Sequence, residues 1–147
     1  MWRNVSCYYR NGENQMSSQP AEKHGKERTL LVVEDDMGIG ALLLEVISQE
    51  TSFRACLVTD SFQALNVIKD IKPDLLLLDY QLPLMNGIEL YDRLHSLVGL
   101  ENIPAIMISA QLPEREIEKR SIMGLNKPFE INDLLTMIAI LAPQPFA

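Results

Sequence analysis

Residues 73–87, PDLLLLDYQLPLMNG, constrain the fold more than any other stretch of this chain. Four consecutive leucines, Leu75 to Leu78, leave no polar face. They therefore predict a strand buried on both sides, as in a parallel sheet covered by helices. The run ends in a carboxylate, Asp79, and a loop follows that holds Pro83 and closes on Asn86-Gly87. Open α/β sheets bind their ligands at the carboxyl ends of their strands. Taken alone, Asp79 fits a turn cap equally well, so the rest of the chain has to decide its role.

The remaining segments repeat the same alternation. Residues 29–33 (TLLVV) read as a strand followed by three acids, Glu34, Asp35 and Asp36. Residues 37–50 read as a helix with Ile39, Leu42, Leu43, Val46 and Ile47 on one face. Gly38 and Gly40 lie between strand and helix, but the third glycine of a dinucleotide loop is missing and the acids would repel a pyrophosphate. A strand at 53–58 leads to a helix capped by Asp60 or Ser61 that runs to about residue 71, with Leu65 and Ile68 inward. A third helix, from 88 to about 97, buries Ile88, Leu90 or Tyr91, and Leu94. Pro104 opens the strand AIMIS, which ends at Ser109, and a short charged helix follows at 113–120. A weak strand at 122–126 ends at Lys127-Pro128. Asn132 or Asp133 then starts the last helix, 134–142. Five strands alternating with helices through right-handed crossovers predict an α/β fold, a doubly wound parallel sheet with helices on both faces.

The totals set limits on partners and setting. The chain has 147 residues, 47% of them hydrophobic, which suits one domain with a real core. Its net charge of -7 opposes binding to a phosphate backbone, so direct nucleic-acid contact is not expected. Residues 1–28 are polar and aperiodic and read as a disordered extension, leaving 29–147 as the folded domain. Five basic and three acidic residues fall in that extension, against eight and seventeen in the rest, so charge segregates. Cys7 lies in the polar extension and Cys56 in an apolar strand. A disulfide is therefore not expected, and a reducing, cytoplasmic setting is. The start lacks the apolar core of a signal peptide, and no apolar run approaches a membrane span, so no membrane contact is expected.

The polar residues now line up. Glu34 and Asp35 follow the first strand, Asp79 the third, Ser109 the fourth and Lys127 the fifth, all at carboxyl ends and so on one edge of the sheet. Two carboxylates ~5 Å apart repel by about 3 kcal/mol at an effective dielectric of ~20. Three in one cleft call for a proton or a cation among them, and a few carboxylates with room for waters suit Mg²⁺. Lys127 adds an ammonium and Ser109 a hydroxyl donor, both suited to the oxygens of a transferring phosphoryl group. A carboxylate can itself accept that group as an acyl phosphate, and Asp79 is the central candidate.

LLVVEDD, LLLLDYQLP with its MNG, AIMISA and NKPF, in this order, resemble the receiver domain of bacterial response regulators over residues 29–142. The resemblance implies a flavodoxin-like five-stranded parallel sheet in the order 2-1-3-4-5. It implies that Asp79 takes a phosphoryl group from a histidine kinase or phosphotransfer protein, and that Asp35, Asp79 and the backbone carbonyl of Gln81 hold Mg²⁺. Glu34 would act through a metal-bound water. Lys127 would pair first with Asp79 and then with the phosphoryl group, and Ser109 would bind that group. A cis Lys127-Pro128 bond is implied too, with Asp36 at a variable, merely solvated position. The expected protein is a stand-alone receiver that signals through a downstream protein target, with no enzymatic activity beyond its own phosphorylation and dephosphorylation.

Three departures stand out. Asn86 replaces the usual Asp before Gly87, Gly124 replaces the aromatic residue three places before the lysine, and the Ser109–Lys127 interval is short. The phosphorylation chemistry is expected intact and the output face altered. The alternative is a pseudo-receiver, a constitutive interaction module of the same fold. A phosphotransferase or phosphatase with an aspartyl nucleophile would commonly carry a second acid where this chain has Gln81. In the last helix Leu134, Leu135, Ile138 and Leu141 can face the core. Met137 and Ile140 then read either as a homodimer contact or as a helix buried more deeply than usual. His95 reads as structural.

Overall fold

The computed structural model describes residues 5–8, 14–16 and 28–143. At its centre lies the leucine run, the strand β5 (Leu75–Asp79), with Leu75 to Leu78 at most 1% exposed. Burying each of these side chains contributes roughly 2 kcal/mol of transfer free energy. The other elements are the strands β1 (Ser6–Tyr8), β2 (Asn14–Met16), β3 (Thr29–Val33), β4 (Arg54–Val58), β6 (Ala105–Ser109) and β7 (Met123–Asn126), with the helices α1 (Met37–Glu50), α2 (Ser61–Val67), α3 (Gly87–His95), α4 (Glu114–Lys119) and α5 (Ile131–Leu141).

The sheet runs β2-β1-β4-β3-β5-β6-β7. The five strands from β4 to β7 are parallel and correspond to the expected order 2-1-3-4-5. Alternate residues of each strand feed two separate cores. Leu30, Val32, Leu75, Leu77, Ile106 and Ile108 pack with α1 and α5, through Leu43, Leu44, Ile47, Leu134 and Ile138. Leu31, Val33, Leu76, Leu78 and Met107 pack with α2 and α3, through Ala64, Val67, Ile88, Leu90 and Leu94. Helices therefore cover both faces, and only the strand ends are free to build a site.

The N-terminal part differs from expectation. Residues 6–8 and 14–16, read from the sequence as disordered, form an antiparallel hairpin that adds to the outer edge of β4. The sheet is thus seven-stranded among the described residues rather than five-stranded. Cys7 and Cys56, expected to stay apart, are opposed across the β1–β4 ladder and joined as a disulfide. The segment's polarity hid this, because Val5 and Cys7 are its buried apolar positions, two residues apart as a strand requires. Arg28, also assigned to the extension, is ordered. Its guanidinium lies 4.4 Å from the Phe53 ring centroid and donates to the Ala142 carbonyl at 3.0 Å. The remaining residues of 1–27 lie outside the described ones.

Local differences have local causes. The buried face of α1 is Gly40, Leu43, Leu44, Ile47 and Ser48, one residue round from the expected face, and Leu42 is half exposed. A Cβ on Gly40 would sit 2.7 Å from the Leu57 side chain, so the glycine turns this almost uniformly apolar helix toward the sheet. The helix α5 starts at Ile131 with Glu130 at its N-cap and no side-chain cap bond, ahead of the expected Asn132 or Asp133. Of its two extra apolar residues, Met137 packs on the core and Ile140 is exposed.

Candidate functional site

The carboxyl ends of β3, β5, β6 and β7 meet at one edge of the sheet. Glu34 leaves β3 with its backbone N–H bonded to the Val58 carbonyl at 3.1 Å, which fixes its side chain in the buried crevice beside β5. Asp35 is exposed, whereas Glu34 and Asp79 are buried. Each of the three acids offers a carboxylate oxygen within 4.8 Å of the other two. Lys127 enters from the end of β7 and donates to Glu34 Oε1 at 3.0 Å and to Asp79 Oδ2 at 3.2 Å. The backbone N–H of Lys127 bonds to the Ser109 carbonyl at 2.9 Å, and the Lys127-Pro128 peptide is cis, as expected.

The electrostatics follow from crowding. Burial, and then the hydrogen bond with Asp79, push the Glu34 carboxyl up to about 7 against the opposing pull of Lys127. Burial pulls the Lys127 ammonium down, but its bond to Glu34 and the charge of Asp79 outweigh this and hold it above the usual lysine value. One ammonium faces three carboxylates, so the cluster is short of positive charge. Oxygen donors in this deficit suit a hard divalent cation such as Mg²⁺.

The loop after β5 is tied back onto the strand ends. The Gln81 N–H donates to Asp79 Oδ1 at 3.1 Å, and the Gly87 N–H to the Tyr80 carbonyl at 2.9 Å. Ser61 at the start of α2 donates from Oγ to the Met85 carbonyl at 2.8 Å, a buried tie that the sequence did not reveal. Gly87 is required by proximity, since a Cβ there would lie 2.5 Å from the Asp79 carbonyl oxygen. The Asn86-Gly87 dipeptide was its visible signal. Asn86 forms a capping box with Glu89 at the start of α3.

Two expected roles look different in space. Ser109 is fully buried at the end of β6, and its hydroxyl is engaged within its own loop. It donates to the Gln111 carbonyl at 3.0 Å and accepts from the Gln111 N–H at 3.1 Å. Asp36, expected to be merely solvated, is the N-cap of α1 and accepts from the Ile39 N–H at 3.0 Å. His95 is remote from the acids. Its ring stacks on Tyr91, and its nitrogens lie 2.8 and 2.7 Å from the Tyr91 and Ile103 carbonyls, which is a structural role. A surface cavity of about 470 Å³, lined by Ile68, Lys69, Lys72, Leu97 and Val98, contains no part of the acid cluster.

The family model of the response regulator receiver domain matches residues 30–139. The chain belongs to this family. This receiver domain is 33% identical over 109 residues to sporulation initiation phosphotransferase F of Bacillus subtilis, covering 71% of this chain and 86% of that one. It is 31% identical over 117 residues to the DNA-binding response regulator MtrA of Mycobacterium tuberculosis, covering 74% of this chain and 48% of that protein. The chain thus spans most of one curated relative and about half of another. Among solved structures, the chemotaxis protein CheY4 of Vibrio cholerae superposes with a TM-score of 0.71 at 22% identity, covering 78% of this chain and 98% of that one, which shows the shared fold. No helix among the described residues is long and apolar enough to cross a membrane.

Proposed function

We propose that the protein is a phosphorylatable switch of a two-component system, with residues 29–147 as the receiver unit and Asp79 as the phosphoacceptor. The observation that carries this reading is the placement of Lys127 Nζ 3.2 Å from Asp79 Oδ2, inside a cluster of three acids whose ligand oxygens lie within 4.8 Å of one another. An Asp79 oxygen attacks the phosphorus of a phosphohistidine on a histidine kinase or phosphotransfer protein. The nitrogen–phosphorus bond breaks with its electron pair going to the ring nitrogen, an acyl phosphate forms on Asp79, and the histidine, protonated on its other ring nitrogen, leaves as neutral imidazole. Lys127 keeps its ammonium at this edge and donates to the incoming oxygens. The Ser109 hydroxyl gives up the Gln111 carbonyl to donate to the same group, which draws the loop after β6 inward.

Glu34, Asp35, Asp79 and the backbone carbonyl of Gln81 are the residues that would hold Mg²⁺. When bound, the ion offsets negative charge on the acids and on the phosphoryl oxygens. Output passes to a downstream protein target through the loops after β5 and β6 and the helices they lead into. Of the two apolar residues read as a homodimer contact on α5, Met137 packs on the core and Ile140 is exposed, so such a contact would rest on Ile140 rather than on both. We place the protein in the cytoplasm beside its phosphodonor, without direct nucleic-acid or membrane contact. The Cys7–Cys56 disulfide is the feature that pulls against a strongly reducing setting.

The assembled acid–lysine cluster supports this reading over a pseudo-receiver, which has no need of it. The test is incubation with Mg²⁺ and a small phosphodonor such as acetyl phosphate. The expected product is an acid-stable, base-labile phosphate that is absent in Asp79→Asn. A phosphate that persists in that variant, or none in the wild type with a saturating phosphodonor, overturns the assignment.

A further inference from the structure

Cys7 and Cys56 are the chain's two cysteines, and they oppose each other directly across the ladder between β1 and β4. What else attaches β1 to the sheet is slight. Three residues pair, Ser6 to Tyr8 against Ala55 to Leu57, and among the residues whose burial is described Val5 is also buried, joining Cys7, Cys56 and Val58 in the core of the α2/α3 face. A short two-stranded hairpin is marginal without a cross-link. Once the bond is open, β1 stays tethered to the folded sheet through residues 9–28, so re-docking it carries the entropy of closing that segment. The β4 edge beneath it is a complete strand whose other side pairs with β3 over all five residues.

We propose that Cys7–Cys56 is a dithiol–disulfide latch, which holds the N-terminal hairpin over the β4 edge when oxidised and frees that edge when a dithiol reductant opens it. Cys7 is 8% exposed and Cys56 fully buried, so the reductant's first thiolate attacks Cys7 Sγ. The Cys7–Cys56 bond breaks and Cys56 leaves as a thiolate that takes up a proton. The second thiol of the reductant then displaces Cys7 from the mixed disulfide, and Cys7 also ends as a thiol. Two electrons and two protons pass to the protein, and the reductant ends as a disulfide. Release of β1 exposes Val5, Val58 and a row of unpaired β4 backbone groups, the kind of edge that invites strand pairing. The five parallel strands and the acid cluster do not depend on β1, so the latch regulates a surface and leaves the fold standing.

The test uses the full chain, air-oxidised or treated with dithiothreitol. Alkylation under denaturing conditions should find no free thiol in the first sample and two in the second. Amide exchange at residues 5–8 and at Ala55 and Leu57, whose N–H groups face β1, should speed up at least tenfold on reduction, while residues 75–79 stay unchanged. The double variant Cys7→Ser/Cys56→Ser should show the fast rate with or without reductant. Two free thiols in the oxidised sample overturn the proposal, as does equal exchange of residues 5–8 in both states. Faster exchange of residues 75–79 on reduction overturns it as well, because the pair would then hold up the whole fold. The wild-type comparison decides the matter even where the double variant fails to express.

Discussion

Lys127 donates to Glu34 at 3.0 Å, slightly closer than its 3.2 Å approach to Asp79. The ammonium therefore serves two functions that oppose each other: it neutralises buried carboxylates, and it competes with any cation those carboxylates attract. Replacing it with an apolar isostere should separate them. Lys127→Met is expected to bind Mg²⁺ roughly tenfold more tightly, because a nearby positive charge is gone. Its rate of phosphoryl uptake from acetyl phosphate should fall about 100-fold, the scale seen when a donor to a developing charge is lost. Mg²⁺ titration by intrinsic fluorescence or calorimetry measures the first, and phosphorylation kinetics the second. Weaker Mg²⁺ binding in Lys127→Met would show that the lysine organises the acids rather than competing at them.

The raised value of Glu34 carries a sign for stability. Burial and the Asp79 contact lift its carboxyl from 4.5 to about 7, so between those values the folded protein holds a proton that the unfolded chain has released. The stability from this group is complete below the unfolded value and is lost as pH rises through the folded one. Urea unfolding without divalent ions should therefore show about 2 kcal/mol less stability at pH 8.5 than at pH 5.5. Because a cation displaces that proton, Mg²⁺ affinity should rise over the same interval and level off above pH 7. Glu34→Gln should flatten both profiles. A wild-type stability curve that rises through this window would contradict the assignment.

The legibility of the sequence followed the strength of its periodic signals. Runs such as TLLVV, LLLLD and AIMIS have one reading, a doubly buried strand, and strand ends in a parallel sheet share an edge. Glu34, Asp79, Ser109 and Lys127 could be gathered there from order alone. The α1 face could not be read to the residue, because ALLLEVI is apolar nearly all round, and the contact of Gly40 with Leu57 decides its orientation. The β1–β2 hairpin was invisible for another reason. Three-residue strands fall below any period, and the partner of Cys7 is set by where β4 lies in space. The inward bonding of Ser109 to Gln111 likewise depends on loop geometry that residue identity does not specify.

Gly87 holds α3 against the end of β5. An added Cβ would meet the Asp79 carbonyl oxygen at 2.5 Å and the Tyr80 Cα at 3.0 Å, both backbone atoms that cannot rotate away. Gly87→Ala should cost about 2–3 kcal/mol by overpacking. The displaced backbone carries Asp79 itself, so phosphoryl uptake should also slow. Asn86→Ala serves as the control, since it removes the cap of the same helix at about 1 kcal/mol without pressing on β5. Thermal melts and acetyl phosphate kinetics on the pair separate the two effects. Equal kinetics in both variants would remove the special role of Gly87.

Gly124 stands where the sequence resemblance implied an aromatic residue, and aliphatic side chains occupy the space beside it. A Cβ at Gly124 would meet Ile117 Cδ1 at 2.7 Å and Leu112 Cδ1 at 2.8 Å, so aliphatic side chains from α4 and its leading loop lie over the glycine. The helix α4 is short and buries none of its residues fully. Its far end is held by Arg120, which donates to Asp92 on α3 at 2.7 and 2.8 Å and to Glu116 at 2.7 Å. Small and large replacements should therefore diverge. Gly124→Ala meets only the mobile ends of two side chains and should cost less than about 1 kcal/mol. Gly124→Tyr must expel Leu112 and Ile117 from beneath α4, and should cost about 2–3 kcal/mol and loosen that helix. Hydrogen exchange of residues 112–120 reads the loosening directly. An aromatic ring that left α4 protected would mean that the glycine is neutral and that the output face retains the family's usual arrangement.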